Sequence, residues 1–276
     1  MPATFLVVPQ WQGSGSARAM RLVDGASAIR GDLPSSSTTV IDVPLEAGDE
    51  QGTGVARASS VLMVRDRMLA ELDLATGPVV TIGGDCGVEL AAIGHCLKQV
   101  TAGEDVAVVW LDAHPDLNTP ESSTSKAFHG MVLRTLLGEG AGSLVPSAIL
   151  PKERLILAGV RAADEAEDAY AKSAGLVSIG VDDLTPKRLV AAIAATGAAS
   201  VYLHIDLDVL DPGDFIGLGY PEPFGVTGEE LVALVKAVKA KFPLAGAGIT
   251  EFAPASSEEA VNDMPTILRI LGALSA

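Results

Sequence analysis

Val106-Ala107-Val108-Val109-Trp110-Leu111 runs straight into Asp112-Ala113-His114-Pro115-Asp116. Six apolar residues rich in β-branched valine read as a strand buried on both faces, and strands of that kind belong to parallel sheets. The polar segment begins where the strand would end. In open parallel sheets, ligands collect beyond the carboxyl ends of the strands, near the point where strand order reverses. One stretch therefore points both to the fold and to the place of its chemistry.

The same pattern recurs on either side. Runs at 4–8, 38–43, 79–82, 155–158, 176–179, 200–205 and 244–249 read as further strands. Segments at 55–74, 88–100, 131–137, 165–173, 186–195, 228–241 and 257–274 read as helices. This alternation predicts βαβ units, hence an α/β fold with a mostly parallel sheet and helices on both faces. No Pro/Gly/Ser-rich linker and no repeat divides the chain, so residues 1–276 are expected to form a single domain.

Composition narrows the partners. A hydrophobic share of 48% with only 4% aromatics describes a core of Val, Leu, Ile and Ala, and 276 residues suffice to bury it. The formal charge of −16 argues against nucleic acid or an anionic membrane as partner. It suits a cationic substrate, or simply solubility. Two cysteines, Cys86 and Cys96, are too few for a disulfide scaffold and fit a reducing compartment. Met1-Pro2-Ala3-Thr4 carries no basic stretch leading into a long apolar run, and no segment approaches the ~18 apolar residues of a membrane span. The expectation is a cytoplasmic protein.

Polar clusters follow four of the strands. Asp85-Cys86 follows the third and Asp112, His114 and Asp116 follow the fourth. Asp206 and Asp208 follow the seventh, and Thr250-Glu251-Phe252 the eighth. Alternate residues of an extended segment share a face, so each set can converge. A single Asp at a strand end is adequately explained as a cap. Five ligand-type residues at two strand ends are not, because packed carboxylates are costly unless a cation neutralises them. Carboxylates with one imidazole form a hard set that suits manganese, with oxygens enough to bridge two ions ~3.5–4 Å apart.

Five motifs together carry a family resemblance: Gly83-Gly84-Asp85-Cys86; Asp112-Ala113-His114-Pro115-Asp116-Leu117-Asn118; Ser125-Lys126-Ala127-Phe128-His129-Gly130; Asp206-Leu207-Asp208-Val209-Leu210-Asp211-Pro212; and Thr250-Glu251-Phe252-Ala253-Pro254. In this order they resemble the ureohydrolases, the family of arginase and agmatinase. The resemblance implies a three-layer α-β-α fold with an eight-stranded sheet and a binuclear manganese cluster whose hydroxide attacks a guanidinium carbon. It implies that Asp112 and Asp206 bridge the ions, that His114 and Asp208 complete one, and that Asp116 completes the other. His129 would shuttle protons to the leaving amine and Glu251 would hold the guanidinium. Asn118 and Ser125 match positions that bind an amino-acid carboxylate. Asp164 matches the residue that reads the α-amino group, and Glu167 a further acid beside it. Those matches favour a guanidino amino acid over agmatine. Ala127 and Ala162 depart from the arginase pattern, where an Asn and an Asp stand. Homo-oligomers of three or six copies accompany the family, and the sequence does not choose among them.

Cys86 stands where the family motif has a histidine ligand of the same ion as Asp116. Three readings are open: a thiolate ligand that lowers the ion's Lewis acidity, a thiol that leaves the site weak or empty, or a core cysteine beside a site completed by water. The first two disfavour plain guanidinium and favour the more electrophilic N-hydroxyguanidine. The cysteine also resembles a branch of the family, from D-cycloserine biosynthesis, that converts Nω-hydroxy-L-arginine to L-ornithine and hydroxyurea. Arginine cleavage is the alternative. A catalytically weak binding protein is a third, opposed by the presence of both His129 and Glu251.

Four features have blander readings. His204 lies two residues before Asp206 and faces the same way, either as a donor behind the cluster or as a buried core histidine. His95 and Cys96 share a helix and join no ligand pattern. Gly13-Ser14-Gly15-Ser16-Ala17-Arg18 hints at a dinucleotide loop but lacks its third glycine. Asp211-Pro212 reads as a turn.

Overall fold

A computed structural model describes residues 4–99 and 105–275. Met1-Pro2-Ala3 and the Val100 end of the helix expected at 88–100 lie outside those residues. Eight strands form one sheet: β1 (Thr4–Val8), β2 (Thr38–Val40), β3 (Val79–Gly83), β4 (Val106–Leu111), β5 (Leu155–Ala158), β6 (Val177–Ile179), β7 (Ser200–Asp206) and β8 (Leu244–Thr250). Their order is β2-β1-β3-β8-β7-β4-β5-β6, and every neighbouring pair is parallel.

The helices are α1 (Arg21–Gly31), α2 (Ala58–Leu72), α3 (Glu89–Gln99), α4 (Val132–Leu136), α5 (Glu165–Ala174), α6 (Pro186–Thr196), α7 (Gly228–Lys239) and α8 (Ser257–Ser275). They cover both faces, as the alternation of β4 requires. Ala107, Val109 and Leu111 pack into one apolar cluster with residues of α1, α6, α7 and α8. Val106, Val108 and Trp110 pack into the other with residues of α2, α3 and α4. All six β4 side chains are buried, each contributing about 1.5–3 kcal/mol for the larger apolar groups. This is the three-layer α/β fold expected from the sequence.

Differences lie mainly at the margins. The second strand stops at Val40 rather than 43. The helix expected from 55 starts at Ala58, after Arg57 takes a left-handed φ of 59°. Helix α1 was not among the expected segments. Its sequence holds Gly25 and Ser27, poor helix formers that hide the periodicity. Gly25 is there for contact: a Cβ would stand 1.9 Å from the Phe252 carbonyl oxygen. The helix thus docks against the loop that carries Glu251.

Candidate metal centre and active site

Sheet order builds the site. The chain passes from β3 to β4 across two sheet positions that β8 and β7 later fill. The carboxyl ends of β3, β8, β7 and β4 therefore lie side by side, at the reversal where parallel sheets bind ligands. Register keeps them level, because Leu111 pairs with Ile205, Ile205 with Ile249, and Ile249 with Ile82. The residues that follow are Asp112, Asp206, Thr250 and Gly83.

Asp112, Asp116, Asp206 and Asp208 are all at most 4% exposed. Asp112 accepts from the Trp110 indole at 2.9 Å and from the His114 amide at 2.5 Å. Asp208 accepts from the Ala113 amide at 3.1 Å and lies 3.0 Å from His114 Nδ1. The Asp208 amide in turn donates to Asp206 Oδ1 at 2.8 Å. Asp116 is held at a left-handed φ of 49°, a conformation Asp tolerates better than most residues, and its buried Oδ2 has no hydrogen-bond partner. Two groups of potential ligand atoms, each within 4.8 Å of one another, emerge: Asp112, His114 and Asp208, and Cys86, Asp112, His204 and Asp206. Asp116 falls outside both.

Electrostatics give the cluster its meaning. Burial and the charge of Asp112 push Asp116 well above the usual carboxylate range. Burial, then Asp208 and Asp112, does the same to Asp206. Asp208 is pushed up to about 6 by burial and Asp112. Asp112 stays below the usual range despite burial, because the imidazoles of His114 and His204 beside it favour its charged form. His114 rises to about 12 against its own burial, drawn by Asp112 and Asp208. Buried carboxylates that resist ionisation, one with an unpartnered oxygen, form a cluster short of positive charge. Divalent cations fit that donor set.

Cys86 is 1% exposed. Its Sγ lies 3.0 Å from Asp206 Oδ2, 3.3 Å from Thr250 Oγ1 and 3.8 Å from His204 Nε2. Burial and the charges of Asp206 and Asp116 push the thiol well up, so a thiolate here requires a cation beside it. Cys86 thus lies directly beside the carboxylate cluster.

His129 stands on the short turn Phe128–Met131, with Nδ1 3.5 Å from Glu251 Oε1. Burial would lower His129, yet the hydrogen bond and charge of Glu251 raise it. Glu251 takes a left-handed φ of 63°; Oε1 accepts from the Cys86 amide at 3.2 Å, and Oε2 is buried without a partner. Asp85 fixes the surroundings. It accepts from Gln10 Nε2, the Gly13 amide and the Gly87 amide at 2.8–2.9 Å, and burial with the Glu251 charge pushes it up to about 6. Gly13 is required at this contact, since a Cβ would stand 2.1 Å from Asp85 Oδ1, and its carbonyl accepts from the His129 amide. The Gly13–Arg18 stretch thus braces the site.

Tyr220 was not singled out by sequence. Its ring lies 5.0 Å from His129 and 6.5 Å from His114, centroid to centroid. It sits on an irregular loop after β7 with no motif to flag it.

Among the expected substrate residues, Asn118 Nδ2 donates to Asp164 Oδ2 at 2.8 Å, so these two do come together. Asp164 also caps α5, accepting from the Ala166 and Glu167 amides. Glu167 is turned inward: its two oxygens accept from the Leu117 and Asp164 amides. Its geometry is that of a brace for the Asp116–Asn118 segment. Ser125 is exposed and accepts from the Ala127 amide at 3.2 Å. Arg161 donates to the Asp208 and Glu222 carbonyls at 2.8 Å, pinning the loop after β7.

Other features stand apart. His95 pairs with Asp73 at 3.3 Å, and burial pushes Cys96 to about 12; neither approaches the carboxylates. Asp211 makes the expected turn, accepting from the Gly213 amide. A cavity of about 660 Å³ opens between α2, α3 and the amino ends of β3, β7 and β8, at the other end of the strands from the carboxylates. Among the described residues no helix is long and apolar enough to cross a membrane.

Comparison with known proteins agrees with this geometry. The arginase family profile matches residues 27–269. An arginase from Entamoeba histolytica is 30% identical over 274 residues, covering 93% of this chain and 92% of that protein. The N(omega)-hydroxy-L-arginine amidinohydrolase of Streptomyces lavendulae is 29% identical over 264 residues, covering 94% and 89%. The crystal structure of the Entamoeba histolytica arginase with L-ornithine superposes with a TM-score of 0.88 at 23% identity, covering 99% of this chain and 97% of that one. With the family profile spanning most of the sequence and the fold matched end to end, this chain belongs to the arginase family and is a hydrolase acting on guanidino or amidino groups.

Proposed function

We propose that this enzyme hydrolyses Nω-hydroxy-L-arginine to L-ornithine and hydroxyurea, with residues 1–276 acting as one catalytic unit. The observation that carries the reading is Cys86, buried against Asp206 and Thr250 where the family resemblance places a histidine ligand. The name of the Streptomyces lavendulae relative supports it.

In this reading Asp112, His114, Asp116, Asp206, Asp208 and Cys86 hold two divalent ions, manganese by the hardness of the carboxylates. When bound, the ions supply an activated water and polarise the guanidine. Water adds to the guanidine carbon, the bond from that carbon to the side-chain nitrogen breaks, and the amine leaves with a proton. His129 supplies that proton, because Glu251 beside it favours the protonated ring. The unpartnered Glu251 Oε2 accepts from the substrate's guanidine nitrogens. Asn118 and Ser125 hold the α-carboxylate, and Asp164, with Glu167 bracing its loop, holds the α-amino group.

A charge-rich neighbour such as Cys86 depresses the acidity of its ion, and plain guanidinium is a poor electrophile. The hydroxylated guanidine is less basic and is attacked more readily. L-Arginine is the second reading, favoured by the Entamoeba histolytica relative. The test is kcat/KM on both substrates with manganese-loaded enzyme, reading ornithine release. Hydroxyarginine should exceed arginine at least tenfold; equal or reversed efficiencies overturn the proposal.

A further inference from the structure

On the core side of the carboxylates lies a polar pair to which the proposed reaction gives no task. Glu89, the first residue of α3, is fully buried, and neither carboxylate oxygen has a partner at hydrogen-bonding distance. Gly248 makes room for it, because a Cβ there would stand 1.7 Å from Glu89 Oε1. Glu89 Oε2 faces His204 Nδ1 at 3.9 Å, and that nitrogen is also buried without a partner. Buried polar atoms left this way are costly.

The other ring nitrogen turns to the ligand cluster. His204 Nε2 is 3.8 Å from Asp112 Oδ2 and 3.8 Å from Cys86 Sγ. The carboxylate is too far for a hydrogen bond and too close to be unrelated. The ring is held in this pose by Trp110, stacked at 3.5 Å between centroids and tilted by 22°, and the same indole donates to Asp112 Oδ2.

We propose that His204 Nε2 is a metal ligand, completing with Cys86 Sγ, Asp112 and Asp206 a site for a divalent ion of borderline softness. The inference rests on the metal-dependent reading above. One donor atom from each of the four residues lies within 4.8 Å of the others. Donors bound tetrahedrally at about 2.0–2.3 Å stand about 3.5 Å apart. The 3.8 Å separations close by a few tenths of an ångström, and the 3.0 Å between Cys86 and Asp206 opens by a similar amount. A ligating imidazole normally gives its second N–H to a carboxylate, which fixes tautomer and orientation; Glu89 Oε2, 3.9 Å from Nδ1, would close to become that carboxylate once the ion is bound. An imidazole missing at position 86 is thus returned from β7. The thiolate and the imidazole make this donor set softer than the His114 side, so a manganese ion here should exchange for cobalt or zinc more readily than the ion on the His114 side.

The experiment loads the full-length enzyme with Co²⁺ and records its absorption spectrum, alongside a crystal structure with anomalous scattering from cobalt. The expected result is a near-ultraviolet thiolate-to-cobalt band, tetrahedral visible bands, and an ion about 2.0–2.2 Å from His204 Nε2. His204→Ala should shift the visible bands while the thiolate band persists, and Glu89→Gln should weaken Co²⁺ affinity about 10–100-fold. An ion more than 3 Å from Nε2, no ion at this site, or visible bands unchanged in His204→Ala overturns the proposal. The wild-type density decides even if the variants misfold. An enzyme that ligates through Nε2 yet prefers arginine loses the substrate reading alone; one that prefers hydroxyarginine with Nε2 unligated loses this inference alone.

Discussion

Replacing Asp116 with Asn should make the metal-free protein more stable and the metal-loaded protein less responsive to metal. The substitution is nearly isosteric, and Asn accepts the left-handed φ of 49° at this position as readily as Asp. It removes an ionisable group that is 4% exposed, has an unpartnered oxygen and can be buried only by carrying a costly charge or by taking up a proton. A buried ion costs several kcal/mol in a real protein, and about 3 kcal/mol is a modest figure for a group that retains some relief from His114. A chain of this size gains about 2 °C in Tm per kcal/mol, so the metal-free variant should melt about 6 °C higher at pH 8. The pH dependence fixes the cause. Burial and Asp112 raise Asp116 well above its unfolded value of 3.8, so the native state holds a proton that the unfolded chain releases. Its contribution to stability therefore falls as pH rises above about 4, and the gap between variant and wild type should widen from pH 4 to pH 8. With manganese at about 100 times its Kd, wild type should gain about 2.7 kcal/mol per ion, and Asp116→Asn distinctly less. The assay is thermal unfolding of chelator-treated and reloaded protein across that range. A metal-free variant that melts below wild type at pH 8, or a gap independent of pH, would refute the argument that these carboxylates are assembled at a cost that cations offset.

Three further outcomes are expected. Cys86→His should raise kcat/KM for L-arginine relative to Nω-hydroxy-L-arginine by about tenfold or more, read as urea and hydroxyurea formed; the larger ring in a fully buried position should lower Tm by overpacking worth about 1–3 kcal/mol. His129→Asn should lower kcat by about 10²–10³ with KM changed less than threefold, as loss of a positioned proton donor does; a change confined to KM would contradict the role. Asp164→Asn keeps the α5 cap, because Asn caps as well as Asp, so Tm should hold while KM for the amino-acid substrate rises about tenfold. Asp164→Ala should lose about 1 kcal/mol of stability in addition.

Much of this site was legible because it lies at strand ends. The apolar run of β4 and the alternation of Asp112, His114 and Asp116 after it are local patterns, and register does the rest once the strands are parallel. What was hidden depends on partners distant in sequence. Helix α1 carries Gly25 for the sake of Phe252, which no window around residue 25 reveals. Tyr220 reaches His129 from an irregular loop. Glu167, matched by resemblance to a substrate-side acid, spends both oxygens on backbone amides. His204 shows the boundary most clearly. Strand alternation places it on the same face as Asp206, a pattern that favours a core histidine over a donor to the cluster without excluding the second. Separating them takes three residues brought in by other elements: Glu89 from α3 behind the ring, Trp110 from β4 against it, and Cys86 from the end of β3 in front. Gly248 on β8 admits the first of these by having no side chain, so the environment that gives His204 a second nitrogen to spend is written in four separated places. Cys86 therefore cannot be understood as a single exchanged ligand: the softer residue at the end of β3 and the buried imidazole two residues before Asp206 occupy one donor group, and a change at either must be felt at the other.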